Sequence, residues 1–220
     1  MHILLFGASG HVGTGIAQHL GPDHSITGVV RRPPDADAPY QPLVVPAWVD
    51  EPDEVITALA ASEAGPVDAV IAAVGGWYID APVLERGLAK FDTDYDAYLR
   101  GHFTACAITQ QLSTKNDRRP VHLALNGVAS VEALSGSGAI SVFGAAQKML
   151  IEVAAAETPT VDYRELRVMA PIGGDDRNDL SGGVETVGLA EVAASASAIL
   201  TSPDRFDVST EIHAGGTAAD

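Results

Sequence analysis

The stretch Gly7-Ala8-Ser9-Gly10-His11-Val12-Gly13 follows directly on the apolar run His2–Phe6 and runs into the helical pattern His11–Leu20. Its spacing is Gly-x-x-Gly-x-x-Gly, set between a strand and a helix. Glycines permit the tight turn and let a ligand approach the backbone, while the start of the helix offers free N–H groups and the positive end of its dipole. In that context the loop reads as the phosphate cradle of a dinucleotide-binding unit, with Gly7, Ser9, Gly10, His11, Val12 and Gly13 as its candidate contacts.

The rest of the chain repeats the same alternation. Strand-like runs recur at Ser25–Val30, Leu43–Val45, Asp68–Val74, Val121–Leu125, Tyr163–Met169 and Phe206–His213. Helical patterns fill the gaps at Glu51–Ser62, Tyr95–Leu112, Ser141–Ala156 and Glu185–Leu200. Several of the strands are apolar throughout, as strands covered on both faces are. The prediction is an α/β fold with a seven-stranded parallel sheet, doubly wound, in a single dinucleotide-binding domain over residues 1–220. Arg31–Pro42 is proline-rich and reads as a surface excursion.

The chain has 220 residues, 46% of them apolar and 19% charged, which excludes a disordered or low-complexity protein. A formal charge of −16 argues against a nucleic-acid or anionic-membrane binder, since phosphate surfaces would repel it. The 1 cysteine, Cys106, can form no internal disulfide. No apolar run approaches the roughly 20 residues a bilayer requires, and Met1–Phe6 lacks the basic start of a signal segment. The expectation is a soluble, cytoplasmic protein. No residues fall at a metal-binding spacing: His102 and His122 read as structural, and Asp175, Asp176 and Asp179 as a solvated loop.

Arg31 and Arg32 follow the second strand, where a site for NAD usually carries an acid. Two guanidinium groups suit a 2′-phosphate, so NADP(H) is the expected cofactor, ahead of NAD(H).

Together these features resemble the short-chain dehydrogenase/reductase superfamily over nearly the whole chain. Gly7, Gly10 and Gly13 resemble its cofactor loop. Val49-Asp50 resembles the segment whose Asp contacts adenine. Ala72-Ala73-Val74-Gly75 resembles its Asn-Asn-Ala-Gly segment. Ala170-Pro171-Ile172-Gly173 resembles the turn beside the nicotinamide, and His213-Ala214-Gly215-Gly216 resembles its C-terminal Val-Asp-Gly-Gly. The resemblance implies cofactor contacts from Asp50, Ala73, Gly75, Pro171 and Ile172.

It also implies a Tyr-x-x-x-Lys pair on the helix after the fifth strand, one residue the acid/base and the other the holder of the nicotinamide ribose. Phe143 and Gln147 stand at those positions. Phenylalanine has no proton to give. Glutamine can bond a ribose hydroxyl but brings no charge. Lys148 points about 100° away around the helix. Separation from Phe143 assigns the family's serine to Ser130, whereas the strand-end pattern assigns it to Gly127; both registers stay open. Tyr98 falls where the family's helix asparagine stands and is a candidate acid/base. Trp77 and Tyr78 either line a pocket or cap the core.

Three functions follow as expectations. The first is an NADP(H)-dependent oxidoreductase acting on a small carbonyl or alcohol, with Ser130 and Tyr98 as candidate catalytic groups. The second is a cofactor sensor without turnover. The third is a non-redox enzyme, an isomerase or cyclase. The resemblance implies a homodimer or homotetramer paired through the two long helices.

Overall fold

The computed structural model describes residues 1–116, 119–174 and 185–215. β1 (His2–Phe6) is an interior strand of its sheet, buried over its whole length. β1 runs parallel to β2 (Ser25–Val30) on one side and to β4 (Ala69–Ala72) on the other. β3 (Gln41–Val44) lies outside β2, while β5 (Val121–Gly127), β6 (Asp162–Val168) and β7 (Ser209–Ile212) continue beyond β4. The order β3-β2-β1-β4-β5-β6-β7 makes a seven-stranded, wholly parallel sheet, as expected. Strand order reverses between β1 and β4, so the loops that follow those strands part there and leave a crevice at the C-terminal sheet edge.

Alternation along β1 serves both faces of the sheet. Ile3 and Leu5 join Ile16 of α1 (His11–Leu20) and Ile199 of α6 (Leu189–Thr201). Leu4 and Phe6 join Val55 of α2 (Pro52–Ala61) and Ile108 of α4 (Gly101–Asn116). The region expected as one helix over Tyr95–Leu112 is longer. It begins with α3 (Leu88–Asp94), passes through a π-helical turn at Tyr95–Arg100 and continues as α4. Such turns insert an extra residue and commonly sit at functional sites; this one carries Tyr98.

α5 (Gly138–Glu157) packs Phe143, Gln147 and Ile151 inward, whereas Met149 and Val153 point outward. Phe103 of α4 is likewise outward, at 61% exposure. Both helices are apolar on more than one side, so periodicity could not say which side meets the sheet. By length and composition α5 also reaches what a membrane span needs, contrary to the expectation that nothing does, yet its inner face is buried in the fold. The acidic residues Asp175, Asp176 and Asp179, and Gly216, lie outside the described residues.

Candidate active site

The glycine loop is shaped by sterics. Gly7 has φ +78°, and a Cβ on it would stand 2.1 Å from the Ala73 carbonyl oxygen. A Cβ on Gly13 would stand 2.2 Å from the carbonyl oxygen of Gly7. Only bare backbone lets the loop fold this tightly against β4. Gly10 caps α1 with no side-chain hydrogen bond, and the first helical bond is Thr14 N–H to the Gly10 carbonyl at 2.8 Å. The N–H groups of His11, Val12 and Gly13 are therefore left for a ligand.

A cavity of about 570 Å³ opens from this helix end. Gly10, His11, Val12, Ala73, Gly75, Gln147, Pro171 and Ile172 all line it, so the structure brings eight of the expected cofactor contacts to one place. Imidazole Nε2–H of His11 donates to the Gly173 carbonyl at 3.0 Å, tying the glycine loop to the turn after β6.

The other expected contacts stand elsewhere. Gly7 and Gly13 form the cradle behind the cavity wall, and Ser9 is exposed. Val29 aligns with Phe6, so Arg31 and Arg32 leave the sheet at the same edge as the glycine loop; both are exposed, with no ion pair among the described residues. Asp50 lies outside the cavity, its exposed carboxylate 2.5 Å from the Arg100 guanidinium.

Trp77, Tyr78 and Tyr98 give the cavity an aromatic wall. The Tyr78 and Tyr98 rings meet edge to face at 6.3 Å. The Tyr78 hydroxyl donates to Asp94 at 2.7 Å and accepts from Arg86. Arg86 is also 2.5 Å from Asp94 and 3.1 Å from Asp80. Burial, then Asp94, pushes the Tyr78 hydroxyl pKa well up. The Tyr98 hydroxyl has no hydrogen bond among the described residues and borders the cavity. Desolvation first and Asp94 second raise its pKa, with Arg86 opposing. Gly75, with φ +120°, lets the chain pass Tyr98, whose ring lies 3.1 Å from where a Cβ would be.

The roof is stitched rather than loose. Asp80 N–H donates to the Gly136 carbonyl at 2.8 Å and Ser137 Oγ to the Tyr78 carbonyl at 2.5 Å, so the segments after β4 and β5 hold each other. Below them, fully buried His102 donates from Nε2 to the Val74 carbonyl at 3.0 Å. Burial lowers the pKa of His102 to about 4 and that of His122 to about 3. Cys106, beside His122 at 3.6 Å, has its thiol pushed up to about 12 by burial and is inert core, as expected.

No family model matches the sequence, and no curated protein matches it. Solved structures match it almost end to end. A short-chain type dehydrogenase/reductase from Mycobacterium ulcerans superposes with a TM-score of 0.80 at 18% identity, over 97% of this chain and 88% of that one. A 3-oxoacyl-[acyl-carrier protein] reductase from Brucella melitensis ATCC 23457 gives 0.82 at 16% identity, over 99% and 91%. A 3-oxoacyl-[acyl-carrier protein] reductase from Brucella melitensis with bound NAD gives 0.81 at 16%, over 99% and 91%. The chain has the short-chain dehydrogenase/reductase fold.

Within that fold the helix after β5 carries Phe143 and Gln147, the two residues expected at the acid/base and ribose-holding positions. Phe143 does not line the cavity; its ring packs 4.7 Å from Phe91 and 6.0 Å from Tyr95. Gln147 does line it. Its Nε2 donates to the Leu125 carbonyl at 2.8 Å, and its amide oxygen has no hydrogen bond among the described residues. Lys148 turns away and pairs with Glu152 at 2.6 Å.

The two serine registers also separate. Gly127 ends β5 on the cavity wall. Ser130 is buried off the cavity, with its hydroxyl donated to the Gly127 carbonyl at 2.7 Å. In this arrangement the Ser130 proton holds the turn after β5 and does not face the cavity.

Sequence reading missed Asn126, Arg86 and Asp94. Asn126 lines the cavity and donates to the Gly144 carbonyl at 3.0 Å and to Glu165 at 2.6 Å. Asp94 lies four residues before Tyr98, a helical spacing that could have flagged it, but its bond to Tyr78 arises only in the fold.

Proposed function

We propose that this protein is an NADPH-dependent carbonyl reductase in which Tyr98 supplies the proton. The observation that carries this reading is the position of the Tyr98 hydroxyl. It is unpartnered on the wall of the same cavity that begins at the bare N–H groups of α1. It is protonated at neutral pH and so can donate, and its raised pKa makes it a weaker acid than a free tyrosine, so release of the proton is driven by the more basic alkoxide.

The glycine cradle and the free N–H groups of His11, Val12 and Gly13 fit a pyrophosphate, and Arg31 and Arg32 fit a 2′-phosphate. The Gln147 amide oxygen would accept from a ribose hydroxyl, and Pro171 and Ile172 would back the nicotinamide. When bound, NADPH supplies the hydride that reduces the carbonyl carbon. Tyr98 then gives its proton to the carbonyl oxygen, completing the alcohol, and recovers it from solvent. Trp77, Tyr78, Leu134 and Ile140 keep water from the reacting atoms.

The test is a calorimetric titration with NADPH and NADH, followed by NADPH oxidation against a panel of carbonyl compounds. Tight NADPH and weak NADH binding with turnover is the expected result. Binding of neither at millimolar concentration sinks the reading. Phe143 and Gln147 favour a second reading, a cofactor sensor, whose signature is NADPH binding with no turnover of any carbonyl. The outward apolar residues Phe103, Val142, Met149 and Val153 support pairing of α4 and α5 with a second copy, giving a homodimer or homotetramer. Sedimentation equilibrium yielding a monomer at micromolar concentration would remove that part.

A further inference from the structure

We infer that the cavity takes an uncharged carbonyl compound with a flat aromatic body and discriminates against carboxylates and against aliphatic 3-oxoacyl thioesters. This rests on the reductase reading of the site, and it follows from what the walls offer. Among the described residues, no Lys, Arg, Asp or Glu side chain lines the cavity. Its polar members are mostly engaged already. His11 is bonded to Gly173, and Asn126 to Gly144 and Glu165, with its amide oxygen taken by Gly127 N–H at 2.9 Å. Among the described residues the Tyr98 hydroxyl, the Gln147 amide oxygen and the Trp77 indole N–H remain beside the N–H groups of the glycine loop, and none of them carries a charge.

The apolar part of the lining has a direction. From the β4 side come Trp77, Tyr78 and Tyr98, and from the β5 side Val128, Leu134 and Ile140. Rings gain more from such a wall than saturated chains of the same area, because edge-to-face and stacked contacts add to burial.

The charge behind the wall excludes acids. Arg86 is the guanidinium beside the cavity, with its carbon 4.3 Å from the Tyr78 ring centroid. It is clamped between Asp94 at 2.5 Å and Asp80 at 3.1 Å, one cation against two carboxylates. A carboxylate on the substrate would lose its water against this net negative cluster and meet no cation among the described residues that line the cavity.

Ligand-observed NMR titrations of the whole protein, with and without NADPH, test this with three probes. These are acetophenone, 4-acetylbenzoate and the N-acetylcysteamine thioester of acetoacetate. Acetophenone is expected to bind at least about tenfold tighter than either other probe. Its affinity is expected to fall roughly threefold to tenfold in Trp77→Ala, a half-exposed position whose thermal midpoint checks folding. Equal or tighter binding of 4-acetylbenzoate overturns the charge argument, and of the thioester the aromatic one. No measurable acetophenone binding overturns both. Because the titration without NADPH reads the cavity directly, failure of the cofactor to bind overturns the reductase reading separately from this inference.

Discussion

The glycine-loop half of the crevice and the α5 half are built on different principles. Around β1 and α1, recognition is made by backbone: two glycines whose Cβ atoms would strike carbonyl oxygens at 2.1 and 2.2 Å, and a row of unbonded N–H groups. Around β5 and α5, chemistry would depend on side chains, and there Phe143 faces Phe91, Ser130 holds its own turn and Gln147 braces Leu125. Backbone sites tolerate no substitution of the glycines but ask nothing else of the sequence. A side-chain site can migrate, and in this fold the free hydroxyl stands on the π-helical turn, at Tyr98.

The sharpest way to separate the halves is Tyr98→Phe. Turnover should fall about 10²–10⁴-fold, the usual loss for a proton donor, while NADPH affinity stays constant. Unchanged turnover would return the chemistry to the α5 side or to solvent.

The next effect concerns what supports the α5 half. Glu165 and Arg167 pair at 2.6 Å, nearly fully buried, with Ser209 bonded to both, and Glu165 holds Asn126 at the cavity wall. Arg167→Met leaves a buried carboxylate without its cation and should cost about 3–5 kcal/mol in urea unfolding. A loss below about 1 kcal/mol would mean the network does not support this half.

Acid should then act through the histidines under the β4 loop. His102 and His122 are neutral when folded, with pKa values lowered to about 4 and about 3, but titrate near 6.5 when unfolded. The unfolded chain binds more protons in that window. Their contribution is therefore complete above about pH 6.5 and is lost as pH falls toward 4, by up to about 2.7 kcal/mol per pH unit for the two together. Denaturation midpoints between pH 4.5 and 6 should show this slope reduced by about half in His102→Asn.

Replacing both Arg31 and Arg32 with Ala should weaken NADPH binding about tenfold and leave NADH unchanged, as removal of charge-assisted phosphate contacts does. Equal losses for both cofactors would remove the 2′-phosphate assignment. The smallest effect should come from Phe143→Tyr. The ring packs between Phe91 and Tyr95, so the new hydroxyl does not reach the cavity and turnover stays within about threefold of the parent. A gain of a hundredfold would show the α5 half still competent.

Much of this was legible before folding. The seven strands fell within a few residues of their places, with β1 and α1 matching end to end, because runs buried on both faces and cap glycines are local signals. Seven of the eight expected contacts that meet in the cavity were legible for the same reason, each lying just after a strand, while Gln147 lies within α5. The ion pair of Asp50 with Arg100 was not legible, since the two stand fifty positions apart in sequence. The outward placement of Phe103, Met149 and Val153 was not legible because α4 and α5 are apolar on more than one side.

Backbone period and glycine sterics thus dictate the parallel sheet and the cradle at its switch point, since both depend on residues adjacent in the chain. Which hydroxyl is free depends on partners brought together from far apart: Tyr78 with Asp94, and Asn126 with Glu165. Those pairings leave Tyr98 as the unspent proton in the cavity, because a polar group's chemistry is set by whether a neighbour has already claimed it.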